Sequence, residues 1–276
     1  MYTPDNCKAA YQLRWSLALF AKTELPSADQ WLEDLSAAVE CDRVRILECT
    51  TKSPNVYLFL VSTTPSVVPS QIVWSVKGRL QHLLKSAHPD AFRRNFSLTT
   101  VGEAKSDVVE NYVASQLNRQ SLIDGRSREL LEKFQLQFPE ARLDEPAFTA
   151  HGRYLYNLHV LLVHDGRWQE IREERLVKSR DMVLSVARKH EHRLSRVALL
   201  GDHVHLTMRC GADISAEEIA LKYLNNLAFA HDMQRVFQFG YFVGTIGPYD
   251  MDAVRRGWQP ERIARSTGTG PVEADH

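Results

Sequence analysis

The sequence lacks net charge: its 34 Lys and Arg residues balance its 34 Asp and Glu residues. Nucleic-acid binders are often basic overall, so the balance counts against a uniformly cationic face and leaves room for a local basic strip. Cysteine is scarce, and none of Cys7, Cys41, Cys49 and Cys210 sits in a C-x-x-C pair. In a chain this large, that argues against a disulfide scaffold and for reduced thiols inside the cell. The first residues show no charged-then-apolar signal pattern, and Arg14 interrupts the first apolar run, so no leader is expected. A membrane-spanning run is missing too. The longest uncharged stretch, 53–76, carries Pro54, Pro65, Pro69 and many hydroxyls, and reads as strand, turn and helix. A cytoplasmic protein with no membrane partner is expected.

What is present is 276 residues, 44% hydrophobic and 25% charged. That is enough for a sizeable core and more than one ordinary domain. The chain also carries a weak, long repeat. Thr100-Val101-Gly102 recurs as Thr245-Ile246-Gly247, an offset of 145 (245 − 100). Asn95-Phe96-Ser97-Leu98 precedes the first copy and Gly240-Tyr241-Phe242-Val243 the second. Ile72, Val76 and Leu80 match Ile219, Tyr223 and Leu227 at an offset of 147, with the i, i+4, i+8 spacing of a buried helix stripe. Asn55-Val56-Tyr57-Leu58 aligns with His203-Val204-His205-Leu206 at 148, and Tyr11 to Phe20 with Tyr154 to Val163 at 143. Five matches in one order point to two half-copies.

Each half then reads as strand (11–20; 154–163), helix (27–40; 168–191), two strands (43–50 and 55–62; 196–200 and 203–209), helix (68–86; 215–231) and strand (95–101; 240–246). That is the split βαβ, ferredoxin-like order. The expectation is an α+β chain of two tandem ferredoxin-like domains, each an antiparallel sheet with helices on one face. The first half spans 1–120, a linker with a helix near 125–137 spans 121–150, and the second half spans 151–262. A disordered tail covers 263–276. After its last strand the first half enters a helix with Ser106 as N-cap and Asp107 in the first turn. The second half meets Gly257 and Pro260, poor helix material.

His203 and His205 stand two apart in a strand, so both imidazoles share one face, a good geometry for one cation. Taken alone, such a pair is more often structural. Tyr112 and Gln116 are four apart on a helix and share a face. Alone, that spacing is more often packing.

Together these residues resemble a known family, the single-tyrosine HUH transposases of small insertion sequences and their REP-associated relatives. Gly201-Asp202-His203-Val204-His205-Leu206 is similar to the family's Pro-Asp-His-Val-His-Leu segment, with Gly201 in place of the proline. Gly240 to Gly247 resembles the strand and turn before the family's tyrosine helix. Val109 to Gln116 resembles that helix, with Tyr112 as nucleophile and Gln116 as a metal ligand, and Trp74 to Leu80 resembles the central helix. The halves depart from the pattern in complementary ways. The first has Asn55 and Tyr57 where the histidines would stand; the second has Gly257 for the tyrosine and Glu261 for the glutamine.

Family members commonly act as dimers in which one subunit's tyrosine helix completes the other's histidine site. The resemblance therefore implies a fused pseudo-dimer, monomeric in solution, with one live site of Tyr112, Gln116, His203 and His205. It implies Mg²⁺ or Mn²⁺ on His203, His205 and Gln116. It further implies nicking and joining of single-stranded, hairpin-bearing DNA through a 5′-phosphotyrosine. A phenol titrates near 10 and needs activation to attack. Lys77, Arg79, Arg93 and Arg94 are candidate DNA contacts, and Arg188, Lys189, Arg193 and Arg196 form a second basic stretch; either could be a solvated charged face. Two other classes stand beside this reading. One is a domesticated, inactive protein that binds DNA or RNA hairpins. The other is a metallohydrolase using the H-x-H pair on another phosphate ester.

Overall fold

A computed structural model describes residues 1–119, 124–233 and 235–258. Its strands are β1 (Lys8–Gln12), β2 (Arg14–Ala21), β3 (Val44–Ser53), β4 (Val56–Thr63), β5 (Phe92–Val101), β6 (Gln135–Gln137), β7 (Ala147–Phe148), β8 (Gly152–Leu155), β9 (Asn157–Val163), β10 (Arg193–Leu199), β11 (His203–Arg209) and β12 (Gly240–Ile246). Its helices are α1 (Leu32–Glu40), α2 (Pro69–Leu84), α3 (Ser106–Ala114), α4 (Gln116–Arg119), α5 (Gly125–Glu132), α6 (Glu173–Lys189), α7 (Ala216–Ala230) and α8 (Met251–Trp258). The chain is α+β, with two six-stranded sheets ordered β3-β4-β2-β5-β8-β7 and β10-β11-β9-β12-β1 extended by β6 next to β10. The expected β-α-β-β-α-β order runs through both.

Two features depart from the expected halves. The first strand of each half is split, at Leu13 and at Tyr156. The short leading piece crosses to the other sheet, so that β1 pairs with β12 and β8 with β5, each in parallel. Neither sheet is therefore purely antiparallel, and the boundary at residue 120 does not separate the sheets. From residue 124 to 150 the chain is also more than a linker. The expected helix ends at Glu132, and the chain continues as β6, which covers the outer edge of β10, and as β7, which covers β8. Exposed edges invite pairing, and these short strands satisfy them.

The two sheets meet through bonds made in both directions. Thr100 Oγ1 donates to the Ile246 carbonyl at 2.7 Å, and Thr245 Oγ1 donates to the Val101 carbonyl at 2.7 Å. The Asn157 N–H reaches Thr100 Oγ1 at 3.3 Å, and the Arg14 N–H reaches Thr245 Oγ1 at 2.9 Å. At the helix starts, Ser70 N–H donates to the Ala212 carbonyl at 3.1 Å and Glu217 N–H to the Pro65 carbonyl at 2.9 Å. Even the irregularities correspond, with ladder shifts at Ile46/Glu48 in β3 and Leu194/Arg196 in β10.

The stripe residues Ile72, Val76 and Leu80 of α2, and Ile219, Tyr223 and Leu227 of α7, are all buried. They close one continuous core that runs through both sheets. At roughly 25 cal/mol per Å² of apolar area, this burial holds the halves as one body.

Candidate functional site

Helix α3 positions Tyr112. Ser106, expected as its N-cap, is instead its first residue, and Lys105 occupies the cap. The Ser106 N–H and hydroxyl both donate to the Gly247 carbonyl, at 2.8 and 3.0 Å, so the hydroxyl is used to tether the helix to the other half. Ser195 of β10 donates to the Glu110 carboxylate and fixes the middle of α3. Val113 is buried in the main core. The helix of the first half therefore lies on the sheet of the second.

Beneath it, β11 alternates as its period of two requires. Val204 faces the core between α6 and α7, beside Leu176 and Leu227. His203 and His205 point the other way, toward α3. The ring centroids of Tyr112 and His205 are 5.8 Å apart, edge to face, and those of His203 and His205 are 4.9 Å apart. Tyr112 remains 40% exposed, open to a substrate, while His205 is buried.

Each histidine has a partner on Nδ1. The Asp202 carboxylate meets His203 Nδ1 at 2.5 Å, and Arg167 reaches the other carboxylate oxygen at 3.0 Å. Burial opposes ionisation of Asp202, but the His203 hydrogen bond and the Arg167 guanidinium outweigh it and hold the carboxyl well below its usual range. An ionised carboxylate only accepts, so His203 Nδ1 donates to it and Nε2 is the ring nitrogen left over. His205 Nδ1 lies 2.8 Å from Nε2 of His159 on β9. Burial, with His159 and His203 nearby, pushes His205 down to about 2, and burial pushes His159 down to about 4. Both rings are neutral at ordinary pH, the form a metal requires.

Gln116 is not on the helix of Tyr112. The chain breaks at Ser115 and restarts as α4. The Gln116 amide nitrogen donates to the Tyr112 carbonyl at 3.0 Å, which leaves its amide oxygen as the atom able to meet a cation. Among the described residues, no group of three or more His, Cys, Asp and Glu side chains is arranged to hold a metal ion. The donors that suit one are the two imidazole Nε2 atoms, which make no hydrogen bond among the described residues, and this amide oxygen.

The candidate DNA contacts lie elsewhere and are partly occupied. Lys77 donates to the carbonyls of Arg93 and Arg94 at 2.6 and 2.9 Å, and Arg79 makes a two-pronged pair with Asp42 at 2.6 and 2.7 Å. Arg93 and Arg94 have exposed side chains. Beside the tyrosine lies the guanidinium of Arg119, 5.0 Å from the Tyr112 ring centroid. Sequence reasoning missed Arg119 and His159. A single histidine in the apolar run Asn157 to Val163 carries no signal by itself, because nothing in the strand names its partner, which lies diagonally across on the neighbouring strand.

The corresponding place on the first sheet differs, and the ladders correct the sequence alignment there. Counting from the paired bonds of Arg14 and Asn157, Ser16 corresponds to His159. Ser16 pairs with Leu60, and His159 with Thr207. His203 and His205 therefore correspond to Val56 and Leu58, not to Asn55 and Tyr57. A one-residue slip turns every side chain to the opposite face. Tyr57 indeed faces the core, its ring 6.2 Å from that of Trp31. Helix α8 sits over Leu60 and Val101 through its buried Val254, with Met251 alongside. It forms through Gly257 despite the expected cost, because that packing outweighs a glycine penalty of about 1 kcal/mol. Pro260, Glu261 and the expected tail lie outside the described residues.

No protein-family description matches the chain, and no curated protein does. Among solved structures, a chain designated a transposase from Deinococcus radiodurans matches at 20% identity and a TM-score of 0.31, over 39% of this chain and 92% of that one. A REP-associated tyrosine transposase bound to a REP hairpin matches at 12% identity and a TM-score of 0.30, over 37% of this chain and 61% of that one. No helix among the described residues is long and apolar enough to cross a membrane.

Proposed function

We propose that the chain nicks and rejoins single-stranded DNA through a tyrosine nucleophile, as a fused pseudo-dimer with one live site. The observation that carries this is the Tyr112 ring from one half standing 5.8 Å from His205 of the other. His203 and His205, through Nε2, with the Gln116 amide oxygen, would hold a divalent Mg²⁺ or Mn²⁺. When bound, such an ion polarises the scissile phosphodiester. Asp202, bonded to Nδ1 of His203, leaves that ring's Nε2 for the ion. Tyr112 Oη forms a bond to phosphorus as the bond to the 3′ oxygen breaks. The phenolic proton passes to solvent, the leaving oxygen takes one up as a 3′-OH, and the 5′ side stays on the tyrosine. Because the phosphodiester is conserved in the adduct, a 3′-OH can reverse the step. Arg119, over the ring, offers a charge to the phosphate. By analogy with the hairpin-bound transposase, a DNA hairpin is the partner proposed.

Incubation with labelled single-stranded hairpin DNA and Mn²⁺ should give a covalent adduct that disappears in Tyr112→Phe. An adduct retained in that variant removes the nucleophile assignment.

A second reading is favoured by the break at Ser115, which takes Gln116 off the helix of Tyr112. In it the chain binds a hairpin and cuts nothing. Hairpin binding with no adduct under any divalent ion selects it.

A further inference from the structure

His159 makes a contact that the proposed chemistry leaves without a role. Its ring and that of His205 are nearly parallel, 8° apart, and joined Nε2 to Nδ1 at 2.8 Å. The site is built to keep it there. Gly244 pairs with His159 across β12 and β9, and a Cβ on Gly244 would come within 3.1 Å of the Phe242 ring. The missing side chain lets Phe242 lie with its ring centroid 5.8 Å from that of His159. The other half has Ser16 at this place and no imidazole pair to hold.

We infer that His159 is a positioning residue that accepts the Nδ1 proton of His205 and thereby fixes the His205 Nε2 lone pair toward Tyr112. The inference rests on His205 acting through Nε2. Two neutral imidazoles share one proton in an N–H···N bond, so one nitrogen must accept. If His205 donates, His159 carries its own proton on Nδ1, and the two tautomers are set together. In the reverse arrangement, the His205 proton sits on Nε2 and the ring presents an N–H to the site instead of a lone pair. Asp202 performs the same task for His203 with a charged acceptor; His159 does it with a neutral one, buried under the tyrosine.

The test is the His205 tautomer in ¹⁵N-histidine-labelled full-length protein, read from long-range ¹H–¹⁵N couplings, together with Mn²⁺ affinity by electron paramagnetic resonance. Native protein should show His205 protonated on Nδ1. His159→Gln, whose amide oxygen can accept the same proton, should keep that tautomer and the affinity. His159→Phe should mix the tautomers and weaken Mn²⁺ binding about ten- to a hundredfold, the usual cost of losing an orienting partner. A native His205 protonated on Nε2 overturns the inference, as does an unchanged tautomer in His159→Phe. If His159→Phe fails to fold, the native and His159→Gln spectra still decide. If native protein shows the Nδ1 tautomer but binds no Mn²⁺, the positioning role stands and the metal reading falls.

Discussion

Helices α3 and α8 hold corresponding places on the two sheets, yet they rest on different floors. Under α3 lie His159, His203, His205 and Thr207; under α8, in the matching positions, lie Ser16, Val56, Leu58 and Leu60. The polar floor leaves Tyr112 standing open, whereas the aliphatic one draws Val254 into a small core with Leu60 and Val101. The backbone supplies a platform twice, and the side chains of the central strands decide whether it becomes a site or a seam. Hydrophobic burial and an open polar site compete for the same surface. A helix that stabilises by packing has little left to present to a substrate.

The comparison can be broken most sharply by moving the tyrosine. Gly257 has no atom within 4 Å of a would-be Cβ, so a side chain fits there. Tyr112→Phe combined with Gly257→Tyr should nevertheless give no DNA adduct, because no imidazole lies beneath α8. An adduct from the double variant would show that the floor does not matter. On the other side, His203→Ala with His205→Ala should reduce adduct formation to background, while Val56→Ala should leave it unchanged.

Acid should act on the histidine-bearing half more than on the other. Burial depresses His205 to about 2, and His159, His192 and His231 to about 4. The unfolded chain takes up these protons near pH 6.5 and the folded chain does not. Stability is therefore full above that pH and falls as pH drops toward 4, by several kcal/mol at most on the order-of-magnitude scale of linkage. Denaturant melts at pH 7.5 and 4.5 measure this, and His192→Phe should flatten the slope.

Placing an imidazole on the aliphatic floor should be costly. Leu58→His removes a buried side chain and strands a polar ring, for a loss of about 2–4 kcal/mol, read from the urea midpoint. Tyr57→Phe, at the position the uncorrected alignment equates with His205, should cost about 1–2 kcal/mol through the lost bonds to the Leu25 N–H and the Pro54 carbonyl. The smallest effect sharpens the likeness of the halves. Thr100→Val and Thr245→Val each remove a hydroxyl that donates to a carbonyl of the other half and accepts a backbone N–H, and each should cost about 1–2 kcal/mol, equal within error. Unequal costs would show that the two contacts differ in energy despite matching in geometry.

Much of this was legible in the chain. The stripe of Ile72, Val76 and Leu80 marks its helix because burial on one helical face imposes a period of 3.6. The alternation around His203 and His205 marks a strand and puts both rings on one face. What misled was the alignment of Asn55-Val56-Tyr57-Leu58, where similar residues matched one position out of register. Both faces of β4 are apolar, so hydrophobicity could not reveal the slip. Gly257 misled because propensity speaks for an isolated helix, and α8 is held by its packing.

The sequence by itself determined the element order, the likeness of the halves and the placing of the tyrosine in one half and the histidine pair in the other, since all are written in local pattern and spacing. Only the tertiary structure decided that β1 and β8 change sheets, that α3 lies across the other half, and that His159 stands behind His205. Those facts depend on which distant faces meet, and a one-dimensional pattern records how a segment is buried but not what buries it.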